Sequence, residues 1–500
     1  MWEYSGHFAR RLRLGALLGV CWLLSGIINP WTVQAADDDP APILYTVQAG
    51  DNLNRICGLH RQLTNHYSLT DMLSDIRRAN QLESNLLRIG QTLIIPVRAP
   101  EICQPVKVPV SDGAEVRGIY LPGPACGSSS VFTRVDNFIA AGGNTVVFDA
   151  KDIDGGVYYR SAHPLASWGP NRSGPVIPSL PDMVDRFERR GLHVVARLAL
   201  FLDGELGRSH PHLALADAEG APWTERGCVW MDPGQDDVRA YNLGLARELA
   251  LAGVDEIQFD YVRYPTNGWR RDWTADDMDL MAVAAERRAV ITGFLEAARD
   301  SLADLDVLIS ADLYGIMAWD RMEDLALTGQ HVPTIATLVD VICPMIYPSH
   351  FGPGFEGRAR PGDDPEYFIG EGTRRFVAQA AGQAEIRPWL QAFPYRVSDY
   401  SGDYIARQVT TSRDVGGAGW CLWNPACRYT VALEVLPSLC EPAATALVLA
   451  AGPAVAEPAS DPGASPSSVP AAAPPAADMV GSLVRTPHPD GRQPHPVDAP

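Results

Sequence analysis

Residues 255–265 read Asp255-Glu256-Ile257-Gln258-Phe259-Asp260-Tyr261-Val262-Arg263-Tyr264-Pro265. They form a short strand, 256–261, that runs out into a carboxylate, two aromatic residues and an arginine. An amphipathic stretch at 236–251 precedes it. Working outward, seven further short apolar strands are expected at 116–121, 145–150, 193–200, 307–311, 339–346, 387–393 and 417–423. Longer helical stretches, among them 275–303 and 366–381, alternate with them. This alternation calls for βαβ units and a parallel sheet. Eight pairs in roughly 330 residues fit an α/β fold of the (β/α)8 TIM type, with loop insertions. An open doubly wound sheet is the alternative. No G-x-G-x-x-G follows the first strand, which disfavours its dinucleotide-binding form.

Chemistry in such barrels gathers where the strands end. Those ends are acidic and aromatic here: Phe148-Asp149-Ala150-Lys151-Asp152, Gln258-Phe259-Asp260, Ser310-Ala311-Asp312, Met345-Ile346-Tyr347, Gln391, and Trp420-Cys421-Leu422-Trp423-Asn424. Glycoside hydrolysis needs two carboxyl groups flanking the scissile bond. Asp260 and Asp312 close consecutive strands, so they are the expected catalytic pair. Asp260 is the expected nucleophile or base, kept ionised by nearby Arg263. Asp312 is the expected proton donor, near Tyr314 or Tyr347, and Asp149 is the alternative to either. Asp149, Lys151, Asp152, Asp232, Arg263, Tyr347, Gln391 and Trp423 are the expected substrate contacts. Structural alternatives stand beside them: Lys151 pairing Asp149 and Asp152, Arg263 pairing Asp260, Asp312 capping a turn, and Asp232 capping a helix. Trp420 is expected to pack within the barrel.

Other chemistries find no motif. H-E-x-x-H, G-x-S-x-G and a Walker loop are absent. Asp152-Ile153-Asp154-Gly155 lacks the first carboxylate of a calcium loop, because residue 150 is Ala. Neither a metal nor a cofactor is expected.

The chain has 500 residues and a net charge of −19. That balance disfavours nucleic acid as a partner, since its binding is dominated by basic contacts. Lys107 and Lys151 are the only lysines. Residues 1–36 read as a secretory signal, with Arg10, Arg11 and Arg13, then an apolar run from Leu14 to Ile28, then Val33-Gln34-Ala35 before Ala36. The run is too short for a comfortable membrane span, so no span is expected once it is cleaved. The expected location is the periplasm, cell wall or exterior. Export permits disulfides, and Cys103–Cys126 and Cys427–Cys440 are candidate pairs. Pro96, Pro100, Pro105 and Pro109 mark a stiff connector, and 441–500 is a disordered Pro/Ala-rich tail.

Ahead of the barrel, residues 43–98 read strand, helix, helix, strand. Tyr45-Thr46-Val47-Gln48-Ala49-Gly50-Asp51-Asn52-Leu53, Asn80 after the second helix, and the Gly90 to Pro96 finish carry a resemblance to a LysM domain. The departure is the segment 61–67, which is longer than usual. The resemblance implies a partner among N-acetylglucosamine polymers, such as peptidoglycan or chitin, and nominates Gly50, Asp51 and Asn80 as glycan-binding residues. Over the barrel, assigned to 110–440, the 255–265 stretch resembles the hallmark of a bacterial family of glycosyl hydrolase domains within the TIM-barrel glycosidases. Asp149-Ala150-Lys151-Asp152, Trp230-Met231-Asp232-Pro233, Ser310-Ala311-Asp312 and Pro344-Met345-Ile346-Tyr347-Pro348 match its other blocks. The resemblance implies Asp260 first, and Asp312 second, as catalytic candidates. The expected function is an exported hydrolase of a cell-envelope or extracellular polysaccharide, tethered by its LysM-like module. The other reading is a non-catalytic cell-wall-binding protein on a degenerate barrel.

Overall fold

The computed structural model describes residues 40–98, 115–169, 174–266 and 279–440. The expected signal segment at 1–36, Cys103 and the expected tail at 441–500 lie outside the described residues.

Four short stretches build the first unit: Ile43–Thr46 (β1), Leu53–His60 (α1), Leu69–Ala79 (α2) and Thr92–Ile95 (β2). The strands pair antiparallel, with Ile43 opposite Ile95. Asn52 caps α1 by accepting from the Arg55 amide, and Ser68 with Asp71 forms a capping box on α2. These side chains satisfy amides that a helix start leaves open. Leu53, Ile56, Met72, Ile76 and Leu93 bury together as a small separate core.

The barrel strands are Val116–Leu121 (β3), Thr145–Lys151 (β4), His193–Ala199 (β5), Glu256–Asp260 (β6), Leu308–Tyr314 (β7), Val341–Met345 (β8), Trp389–Gln391 (β9) and Gly419–Trp423 (β10). All eight are parallel, each hydrogen-bonded to the next, and β10 returns to β3 with Gly419 opposite Val116. The open doubly wound alternative is thereby excluded. Helices wrap the outside, including Ser130–Ala140 (α3), Leu180–Glu188 (α4), Asp236–Leu251 (α5), Leu280–Leu302 (α6), Pro365–Ala380 (α7), Gly402–Asp414 (α8) and Thr430–Leu439 (α9). On α5, Val238, Tyr241, Asn242, Leu245 and Leu249 face the sheet at helical spacing, the pattern that drives an amphipathic helix onto a core.

Two apolar layers result. The outer one lies between strands and helices and contains Phe148, Leu198, Phe259, Leu245, Phe294 and Trp420. The inner one fills the lumen with Tyr120, Val147, Val195, Cys343, Trp389 and Cys421. Near the strand starts the lumen holds a buried ion pair, Glu256 with Arg387 at 2.9 Å, joined by His193 at 2.9 Å. Burial alone would raise the Glu256 carboxyl, but Arg387 and His193 hold it well below its usual range.

The expected Cys427–Cys440 bridge is not formed. Both are buried free thiols, as is Cys126. Cys427 packs against the Tyr120 carbonyl near the end of β3, whereas Cys440 abuts Gly142, just before β4 begins. They occupy opposite ends of the barrel, and a disulfide needs Cα atoms within about 7 Å.

Candidate active site

Strand register decides which side chains meet. Asp149 on β4 lies opposite Arg197 on β5. Ala199 on β5 lies opposite Asp260, and Phe259 lies opposite Ala311, which sets Asp260 beside Asp312. Met345 on β8 pairs with Trp389 on β9. The outcome is a cleft at the strand ends, with Asp152, Arg197, Asp260, Asp312, Trp389 and Trp423 in its wall.

Arg197 is the hub. Its Nη1 bonds Asp149 Oδ1 at 2.5 Å, and its Nη2 and Nε bond Asp260 Oδ2 at 2.6 and 3.0 Å. Asp152 lies 3.4 Å from Nη1, and Asp312 Oδ2 lies 3.9 Å from Nε. A guanidinium suits this arrangement because its fixed fork of donors satisfies several carboxylates at once. The sequence reading did not select Arg197. Its signal was a charged residue inside an apolar strand, Val194-Val195-Ala196-Arg197-Leu198, where burial is costly without partners.

The two expected catalytic carboxyls differ in environment. Asp260 takes the Arg197 fork on one oxygen and the Tyr261 amide, at 2.6 Å, on the other. Tyr261 reaches that geometry with φ +53°, a left-handed conformation that costs a non-glycine residue of order 1 kcal/mol and recurs at functional sites. Asp312 Oδ1 accepts from the Trp389 indole at 2.7 Å, while Oδ2 is buried without a hydrogen-bond partner. Burial, reinforced by the neighbouring Asp260 carboxylate, pushes Asp312 far above the ordinary carboxyl range. Because one nitrogen, Arg197 Nε, lies 3.0 Å from Asp260 Oδ2 and 3.9 Å from Asp312 Oδ2, those oxygens are at most about 7 Å apart, inside the reach of glycosidase carboxyl pairs.

Aromatic rings complete the wall. Trp423 stacks on Tyr120 at 4.0 Å and meets Trp389 edge-on at 5.4 Å. Tyr347 lines the same cleft and packs edge-on against His350. Such faces suit the apolar side of a sugar ring.

Residues 118–429 match the family model described as "Putative glycosyl hydrolase domain". The chain belongs to this glycosyl hydrolase family. Residues 45–96 match the LysM domain model. Among solved structures, the chain is similar to a hypothetical protein from Ruminiclostridium thermocellum, at 30% identity over 39% of this chain and 96% of that one, with a TM-score of 0.32. It is similar to the PgaB (BpsB) glycoside hydrolase domain from Bordetella bronchiseptica, at 16% identity over 65% and 98%, with a TM-score of 0.49. It is also similar to the Bacillus megaterium spore cortex-lytic enzyme SleL, at 13% identity over 80% and 86%, with a TM-score of 0.39. No curated protein matches the sequence.

Several expected contacts lie elsewhere in the glycosyl hydrolase domain. Lys151 is fully buried and bonds Asp203 at 2.7 Å and Asn242 at 3.0 Å. A register shift between Asp149 and Lys151 turns it away from the lumen, so it pairs neither Asp149 nor Asp152. Asp232 closes a turn, accepting from the Gly234 amide at 2.8 Å just before α5. Gln391 is fully buried; it donates to the Phe393 and Tyr395 carbonyls and accepts from the Ser349 amide. Arg263 reaches the cleft wall but stacks on Tyr314 at 4.2 Å and Trp230 at 4.7 Å. Arg197, not Arg263, serves Asp260. Asp149 lies beneath the cleft surface, bonded to Tyr120 and Arg197; burial pushes it up to about 7 against the pull of Arg197.

In the LysM domain, the Asp51 carboxylate is engaged by Tyr45 at 2.7 Å and the Gln48 amide at 2.8 Å. Asn80 ties α2 to β2 through the Ile76 and Ile94 backbones. Both side chains hold the fold rather than face outward. Gly50, with φ +87°, opens onto free space. The neighbouring loop before β2 exposes Leu86 and Ile89, at 84% and 74%. Sequence reading passed over both, because apolar residues in a loop carry no period.

Proposed function

We propose that the chain is an exported glycoside hydrolase acting on a cell-envelope or extracellular polysaccharide, with its LysM domain holding an N-acetylglucosamine polymer such as peptidoglycan or chitin. One observation carries the catalytic part: two carboxyls share a cleft, one clamped by a guanidinium and the other buried beside it with a bare oxygen and its pKa pushed upward. Asp312 gives its proton to the glycosidic oxygen as the bond breaks. Asp260 attacks the anomeric carbon from the other side. Asp312, now a carboxylate, then takes a proton from the water that hydrolyses the glycosyl ester. The upper bound of about 7 Å on the carboxyl oxygens favours this retaining course over inversion, which uses roughly 6.5–9.5 Å. Trp423 and Tyr347 line the cleft that receives the sugars. Export rests on the charged, apolar and small-residue order of the first 36 residues.

A polysaccharide-panel digestion, with Asp260→Asn as control, tests the reading. Release of reducing ends by the native chain and not by the variant is expected. Equal products from both, or none from either on any glycan, would leave the non-catalytic reading in its place.

A further inference from the structure

The long segment 61–67 takes no part in the cleft, yet it is the feature by which this LysM domain departs from its family. It folds as a tight 3-10 turn, Arg61–Leu63, closed where Arg61 donates to the Tyr67 carbonyl at 3.0 Å. Tyr67 is thereby sent into the barrel. It is 1% exposed and belongs to the barrel's outer core rather than to the small core of its own unit. Its hydroxyl donates to the Cys126 carbonyl at 2.7 Å, its ring meets Phe132 edge-on at 5.0 Å, and Arg186 lies over it at 5.6 Å. Asp71, while capping α2, also accepts from Ser129 through its amide at 3.2 Å and its hydroxyl at 2.8 Å.

The receiving surface adjoins the cleft. Cys126, Ser129 and Phe132 follow directly on β3, whose Tyr120 walls the cleft. Cys126 stands six positions beyond Tyr120, at most about 22 Å of extended chain. The loops around Gly50 and Leu86 lie at the other end of α2. Eleven residues of helix set them about 16 Å beyond the dock.

We propose that residues 61–67 are a docking insert that fixes the LysM domain to the rim of the catalytic barrel, making it a rigid glycan-holding arm with a set stand-off from the cleft. This rests on the reading of the LysM domain as glycan-binding. A module on a loose connector raises local polymer concentration only statistically. A docked one also removes the freedom of the arm, and it couples glycan binding to barrel stability through α2 and Tyr67.

Calorimetry of the full chain, with and without chitohexaose, tests this. The comparison variants are Tyr67→Ala and, in case that change unfolds the small unit, Ser129→Asp. The Ser129 side chain makes no cap bond to α3, so the change removes no helix cap and sets a like charge against Asp71. The native chain should unfold its two units in one transition, which chitohexaose raises by several degrees. Ser129→Asp should split the transition, with chitohexaose moving only the smaller part. Two transitions in the native chain, or a shared transition unchanged by Ser129→Asp, overturns the dock. No chitohexaose shift in either protein while the native chain melts as one overturns the glycan-binding reading and, with it, the arm.

Discussion

Arg197 carries the charge balance of the cleft. Asp149 and Asp260 bond it directly, and Asp152 and Asp312 stand within 4 Å. Removing one member of such a buried set leaves the others uncompensated, at roughly 3–5 kcal/mol. Arg197→Ala is therefore expected to lower the urea midpoint sharply and abolish turnover. Arg197→Lys, lacking the fork, should lose turnover by about 10² or more while keeping much of the stability. Unchanged kinetics in Arg197→Lys would take Arg197 out of the site. Asp149 gives a pH signature. Its folded value near 7 stands above its ordinary value of 3.8. Between those values the folded protein keeps a proton that the unfolded chain has released. Asp149 thus lets stability fall as pH rises across that window, with the full penalty present above it. Asp149→Asn has no such slope. Urea titrations near pH 5 and near pH 8 should show the variant gaining on the native chain at the higher pH, by on the order of 3 kcal/mol. A constant difference would mean that Asp149 is ionised throughout.

Strand β4 shows what a sequence yields at the level of elements. The eight strands were legible because each is a short apolar run, and their carboxylate ends were legible because charge at such a place needs a partner. Asp260 and Asp312 come together through register between consecutive strands, which alternation alone predicts. Lys151 was misplaced for a local reason. Alternation sets Asp149 and Lys151 on one face, but the irregularity between them reverses Lys151, and a bulge leaves no mark in residue type. Arg197 was missed because its partners come from strands β4, β6 and β7, so no linear window contains them. The turned-out lysine gives a clean element-level test. Asp203 is fully buried and bonded to Lys151, so Lys151→Ala should destabilise the barrel by roughly 3–5 kcal/mol. The cleft does not touch Lys151, so turnover per folded molecule should stay unchanged. A variant that keeps its stability and loses turnover would return Lys151 to the site.

Across the whole molecule, contacts between distant segments decide stability, and the cysteines are where secretory logic and this fold part. Export would allow bridges, yet among the described residues all seven cysteines are free. Geometry explains the pair that sequence suggested. Cys427 lies by Tyr120 at the rim of the barrel and Cys440 by Gly142 at its base. Strand β3, six residues long, runs between these levels and spans roughly 20 Å, far beyond disulfide reach. Burial has a second effect. It pushes the thiols of Cys126, Cys427 and Cys440 up from their ordinary value, which lowers the share of thiolate and with it reactivity. They pack as small apolar side chains, inert while the barrel is closed. Dithiothreitol should therefore leave the thermal midpoint of the chain unchanged to within about 2 °C, because a bridge whose loss costs roughly 2–5 kcal/mol would shift it by several degrees. A thiol reagent should label Cys126, Cys427 and Cys440 only as the barrel unfolds, at a rate set by opening rather than by reagent concentration. A large fall in midpoint with reductant, or prompt labelling of these three in the native protein, would show that the barrel relies on a covalent link or opens far more readily than its packing implies.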